Sequence, residues 1–243
     1  MEPNGSTPYN IRKVNMILSH ESPIYQAQRS KLGPSFHNGA YYYSCDIVKN
    51  IIPNVKTDRN WITIMVNQEA MNHSIYFLHN NLYTYKYNFL KNYEDVIVVA
   101  GTSETAKRCR NVGVCCIYLP LSIDVEHVEK FKVKRKTRDT CYAGRAFKIY
   151  SENVPSGVDK LCNLEHDELL KQMAKYKRVY AVGRTAIEAK VLGCEVIPYD
   201  PRFPDPSVWE ILDNKEAAKL LQEALDYYEQ NKKKCHHKVI ERL

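Results

Sequence analysis

The chain has 243 residues and a mass of 28.3 kDa, with 35 Lys and Arg against 28 Asp and Glu for a net charge of +7. A composition of 44% hydrophobic and 26% charged residues belongs to a globular chain with a real core, and excludes disordered, collagen-like and fibrous classes. Residues 1–10 hold no apolar signal region and no stretch approaches the ~18 apolar residues of a spanning helix, so a cytoplasmic protein without membrane insertion is expected.

In chain order, Val14–Ser19 reads as a buried strand that delivers His20 and Glu21 to its end. Pro23, Gly33 and Pro34 make residues 22–36 a loop. Ala40–Ile52 carries Tyr42, Ile47, Val48 and Ile51 at helical spacing and stops at Pro53. Trp61–Val66 and Ile75–Leu78 are β-rich, the second closed by His79, and Leu82–Leu90 has a helical pattern. Val96–Ala100 is a continuous apolar run, the signature of a parallel strand covered on both faces. Thr102 or Ser103 then caps a helix to about Asn111, and Cys115–Leu119 is the next strand.

A basic, strand-poor stretch follows, with Lys130, Lys132, Lys134, Arg135, Lys136 and Arg138. It divides an N-terminal domain (residues 1–125) from a C-terminal one (residues 139–243), with residues 126–138 as linker. The second half alternates strand Thr140–Ala143, helix Glu165–Tyr176, strand Arg178–Val182, helix Thr185–Leu192 and strand Glu195–Pro198. Ala217–Tyr228 is a final amphipathic helix before the tail Lys232–Lys234. Alternating short strands and helices predict an α/β protein of two Rossmann-like parallel-sheet domains facing a cleft.

The eight cysteines include no C-x-x-C pair, and Cys115 and Cys116 are adjacent, which suits no disulfide framework. Cys141, Cys162 and Cys194 lie among apolar residues and read as small core side chains. Cys235-His236-His237 lacks a fourth ligand, so no metal site is assigned.

The segment Val179 to Ile197 carries the chemistry. A buried strand runs into Gly183, where the backbone turns tightly, and Thr185 is placed to cap the following helix. Free N–H groups and the positive dipole end at such a terminus suit a phosphate, and Arg184 adds a bidentate donor. Glu188, one turn on, is within reach of two ribose hydroxyls. An ordinary strand–turn–helix junction shares this pattern.

Three motifs in order, Leu121-Ser122-Ile123-Asp124 with Phe131, Tyr142-Ala143-Gly144-Arg145, and Glu188-Ala189 through Gly193 to Val196-Ile197, resemble GT-B glycosyltransferases. The resemblance is good over Val96–Tyr199 and weak over the first hundred residues. It implies a nucleoside-diphosphate sugar, a UDP-sugar foremost, held by Gly144, Arg145, Lys148, Gly183, Arg184, Thr185 and Glu188. Lys148 sits at an offset unlike the family's lysine, and Tyr180 stands where many retaining members have a second Glu. No D-x-D occurs, which points to metal-independent transfer without a cofactor, and no G-x-G-x-x-G follows the first strand.

His20, Glu21 and His79 follow strands at the edge where open sheets bind ligands, and are the candidate bases for an acceptor hydroxyl. The +7 charge, Arg29 and Lys31 agree with an anionic acceptor. A hydroxymethylated base in DNA is one candidate, as for some phage enzymes of this fold, which would place the chain in a host cytoplasm. A cell-wall polymer or a protein is another. Two other readings fit: a non-catalytic nucleic-acid or polyanion binder, and a nucleotide-sugar epimerase.

Overall fold

The computed structural model describes residues 46–62, 72–78, 90, 92–146, 151–201, 205, 209–235 and 239–240. The expected strand Val14–Ser19, the loop 22–36, the first part of Ala40–Ile52, the end of Trp61–Val66 and all of Leu82–Leu90 except Leu90 lie outside these residues.

After a π-helical turn (Ile47–Ile51) and a 3₁₀ turn (Ile52–Asn54), the strands are β1 (Asn60–Ile62), β2 (Ser74–Leu78), β3 (Val96–Ala100), β4 (Cys116–Tyr118), β5 (Ser122–Ile123), β6 (Arg138–Ala143), β7 (Asp159–Leu161), β8 (Tyr176–Tyr180), β9 (Glu195–Ile197), β10 (Leu212–Asp213) and β11 (Val239–Ile240). The helices are α1 (Ser103–Asn111), α2 (Val125–Glu129), α3 (His166–Met173), α4 (Arg184–Val191) and α5 (Asn214–Cys235). The architecture is α/β, with Rossmann-like parallel sheets. Among the described residues no helix is long and apolar enough to cross a membrane.

The described residues divide into two units. The first holds Ile47–Pro120 and the chain from Lys215 onward; the second holds Asp46 and Leu121–Asn214. Residues 126–138, read from the sequence as a linker, fall inside the second unit in this division. Val128 is fully buried in its core, with Phe131 and Val133 packed against it. Lys136 donates from Nζ to the carbonyls of Ala174 (2.8 Å) and Leu192 (2.7 Å), the C-caps of α3 and α4. A cation there satisfies carbonyls that a helix end leaves open. The final helix belongs with the first unit and runs longer than expected, with a non-helical Asn231 inside it.

The first unit is a five-stranded parallel sheet in the order β1-β2-β3-β4-β11. Every residue of β2 and β3 is buried, so β3 is an unbroken apolar run and β2 continues apolar after Ser74 rather than alternating. Thr102 caps α1 by accepting from the Thr105 amide at 3.2 Å. At the amino edge of this sheet the fully buried Arg59 reaches Asp95, before β3, and Glu229 on α5, at 2.9 and 2.7 Å. The Tyr228 hydroxyl donates to Asp95 as well.

The second unit is a four-stranded parallel sheet in the order β7-β6-β8-β9, with β5 and β10 paired separately. β6 comes first in the chain, yet it lies between β7 and β8. The strand order therefore reverses around β6, and the crevice beyond the carboxyl ends of β6 and β8 is the topological switch point where such sheets hold ligands. The core combines Val179 and Cys141 from the sheet with Leu170 and Met173 of α3 and Ile187 of α4. The helix expected over Glu165–Tyr176 is shorter, because Tyr176 already opens β8, in register with Arg138. Cys109, Cys115, Cys116, Cys141, Cys162 and Cys194 carry free thiols; Cys141 and Cys194 are buried and Cys162 is half-buried.

Candidate functional site

β6 and β8 pair in parallel with Tyr142 opposite Tyr180, so the two motifs that follow them emerge side by side at one sheet edge. The first is Gly144-Arg145. A Cβ on Gly144 would lie 2.5 Å from the Tyr142 hydroxyl and 2.7 Å from its ring, so no larger residue fits without moving that ring. The Tyr142 hydroxyl donates to the Arg145 carbonyl at 3.0 Å and fixes the turn, while Arg145 is solvent-exposed. Burial, then Tyr199, pushes the Tyr142 hydroxyl far above its ordinary pKa, so it stays a donor. Tyr199 meets both Tyr142 and Tyr180 edge-on, with centroids 5.7 and 6.1 Å apart. Three tyrosines thus line this edge.

The second motif is the start of α4. Gly183 adopts φ 61° and ψ −142°, a region open essentially to glycine alone, and among the described residues a Cβ there would meet nothing within 4 Å. The backbone, not crowding, demands glycine, and the space beside it is open. Gly183 is the N-cap and offers no side-chain acceptor to the first amides of α4. Thr185, expected as the cap, instead lies within the first turn, because the strand ends earlier and the glycine makes the turn.

Arg184 turns inward. Its Nε donates to Glu188 Oε1 at 2.7 Å and its Nη2 pairs with Asp46 Oδ2 at 2.5 Å, with only 5% of the side chain exposed. Its Nη1 has no hydrogen-bond partner. Glu188 is 2% exposed and takes a second bond, from His166 Nε2 at 2.9 Å, on the same oxygen. Burial raises the Glu188 carboxyl, but the Arg184 charge and the His166 bond more than offset this and hold it below the usual glutamate value. Burial likewise opposes the Arg184 cation, and Glu188 and Asp46 keep it charged. Helix α4 therefore presents an anchored ion pair one turn below a glycine-capped terminus.

The structure thus brings Gly144, Arg145, Gly183, Arg184, Thr185 and Glu188 into one unit, the first two and last four at the ends of neighbouring strands. Lys148, His20, Glu21, His79, Arg29 and Lys31 lie outside the described residues. Sequence reasoning missed His166, Asp46 and the tyrosine edge. A histidine opening α3 contacts a glutamate 22 positions later only because the two helices pack on the same sheet face, and no local pattern records that. Asp124, part of the first motif, caps α2 through the His127 amide at 2.9 Å. No family model, curated protein or solved structure matches the chain.

Proposed function

We propose that the protein is a metal-independent, GT-B-like glycosyltransferase that binds a nucleoside-diphosphate sugar at the carboxyl edge of β6 and β8. The observation that carries this reading is the Gly183 turn. It opens space against the uncapped amides of α4, at a topological switch point, with the Glu188 carboxylate fixed one turn below.

In this reading the diphosphate lies against the first amides of α4 and the exposed Arg145, where a helix dipole and a guanidinium stabilise the leaving group in place of a metal. Glu188 spends Oε1 on Arg184 and His166, and the ribose hydroxyls are assigned to it on the family resemblance. Tyr180 and Tyr199 supply apolar faces with polar tips, which suit a base or a sugar. The acceptor hydroxyl oxygen attacks the anomeric carbon and gives its proton to a general base, for which His20, Glu21 and His79 are the candidates from sequence. The bond from that carbon to the diphosphate oxygen breaks. The acceptor is a hydroxyl on an anionic polymer, with hydroxymethylated DNA as the first candidate, supported by the +7 charge and by exposed Lys132, Lys134 and Arg135.

Incubation with a panel of nucleotide sugars and acceptors, read by mass spectrometry, tests the reading. A hexose mass added to an acceptor, or donor hydrolysis in its absence, is the expected result. No turnover of any donor, with DNA bound equally well in the absence of donor, would favour a non-catalytic polyanion binder.

A further inference from the structure

Beside Glu188, on the side of His166, lies a cluster that the transferase reading does not use. His127 is the third residue of α2, and His166 and Asp167 open α3. Each offers a ligand atom, and these atoms lie within 4.8 Å of one another. His127 Nε2 and Asp167 Oδ1 are 2.9 Å apart.

We propose that His127, His166 and Asp167 form a binding site for a divalent transition-metal ion, Zn²⁺ or a neighbour in the first row. Two imidazoles and a carboxylate are a ligand set that such ions favour, and a site of three protein ligands keeps a position open to water. Bonds of about 2.0–2.1 Å in a tetrahedron place ligand atoms ~3.3 Å apart. The His127–Asp167 separation of 2.9 Å is close to that already, and every ligand atom of the cluster lies within 4.8 Å of the others.

The stronger argument is what stands behind His166. A metal-bound histidine nearly always donates its other ring N–H to a carboxylate or carbonyl, which fixes its tautomer and raises its basicity. Here His166 Nε2 is bonded to Glu188 Oε1, a buried carboxylate itself held by Arg184. His127 is oriented as well. Its ring stacks on His166 at 6.1 Å and 23°, and meets Phe131 edge-on at 5.5 Å. Asp124 caps the helix that carries it. Exposures of 34% for His127, 14% for His166 and 65% for Asp167 leave the cluster open to an ion from solvent. The site is independent of the donor reading and stands whether or not that reading does.

Titration of the full chain with Co²⁺ and Zn²⁺ tests this, with Cys235, His236 and His237 changed to alanine so that the tail contributes nothing. The expected result is one equivalent bound, a Co²⁺ visible spectrum without thiolate charge transfer, and proton release on binding. Affinity should fall as the pH is lowered, because protons compete with the metal for the ligand atoms. His127→Ala, at a half-buried position, and Asp167→Asn, at an exposed one, should each weaken binding at least tenfold. Glu188→Gln should weaken it by about 10–100-fold, the usual effect of losing such a supporting carboxylate. Should His166→Ala fail to fold, the first two variants still decide the matter. No saturable binding, thiolate bands in the spectrum, or binding unchanged in His127→Ala and Asp167→Asn would overturn the proposal.

Discussion

Glu188→Gln isolates the buried charge of α4. It keeps the side-chain shape and an oxygen acceptor, yet removes the anion on which Arg184 and His166 converge at 2.7 and 2.9 Å. A hydrogen bond to a charged group contributes about 1.5–3 kcal/mol and a neutral one about 0.5–1.5 kcal/mol, so weakening both acceptor sides should cost about 2–3 kcal/mol. Arg184 keeps Asp46 as its counter-ion, which holds the loss below the 3–5 kcal/mol or so of an orphaned buried charge. Acid adds a second signature. Burial raises the Glu188 carboxyl, while Arg184 and His166 together pull it below its ordinary value. A depressed carboxyl contributes fully above the unfolded value near about 4.3, and that contribution is lost as the pH falls through the lower folded value. The parent should therefore lose stability over that acid range while the glutamine variant does not show this component. Trp61 lies in the first unit and Trp209 packs against the second core, so urea unfolding in a Trp61→Phe background, followed by Trp209 fluorescence, reports the second unit. A difference under about 0.5 kcal/mol, the level of an inert surface change, would refute the reasoning.

Gly144→Ala should push the Tyr142 ring aside and cost about 1–3 kcal/mol, measured by the same unfolding transition, because its Cβ falls 2.5 Å from the hydroxyl. Lys136→Met should cost about 1–3 kcal/mol by removing two bonds to helix ends, and should leave any DNA affinity unchanged in a gel-shift titration. Reversing Lys132, Lys134 and Arg135 together should instead flatten the log–log salt dependence of DNA binding by roughly 0.9 per lost phosphate contact, with nucleotide binding unchanged. Arg59→Ala should destabilise the first unit by about 3–5 kcal/mol, read by Trp61 fluorescence, since Asp95 would lose a fully buried partner.

The parallel α/β plan was legible where burial is two-sided. Val96–Ala100 and Ile75–Leu78 announce themselves because both faces are covered and no polar residue interrupts them. β7 went unseen: Asp159-Lys160-Leu161 is an edge strand with one apolar residue, held by its pairing with β6 rather than by propensity. The two-residue strands β5, β10 and β11 are equally tertiary in origin. A helical pattern runs over Glu165–Tyr176, but Tyr176 is buried as the first residue of β8. At the site, the residue types and their order were readable, whereas orientation was not. Arg184 reads as a surface donor in sequence and is an inward ion-pair partner in structure, since only packing decides which way the first residue of a helix points. The lysine-rich stretch shows the same limit: Lys136 among its neighbours serves helix ends, and charge counting cannot single it out.

Calorimetric titration of the full chain with UDP, GDP, ADP and TDP tests the central claim most directly, with Gly183→Ala as the partner experiment. Alanine is strained at φ 61°, so the substitution should displace the opening of α4 without adding a side chain to a crowded place. Saturable binding of at least one nucleoside diphosphate, weakened tenfold or more by Gly183→Ala, is the predicted result. Binding of none, or binding that Gly183→Ala leaves intact, would contradict a donor site at this turn.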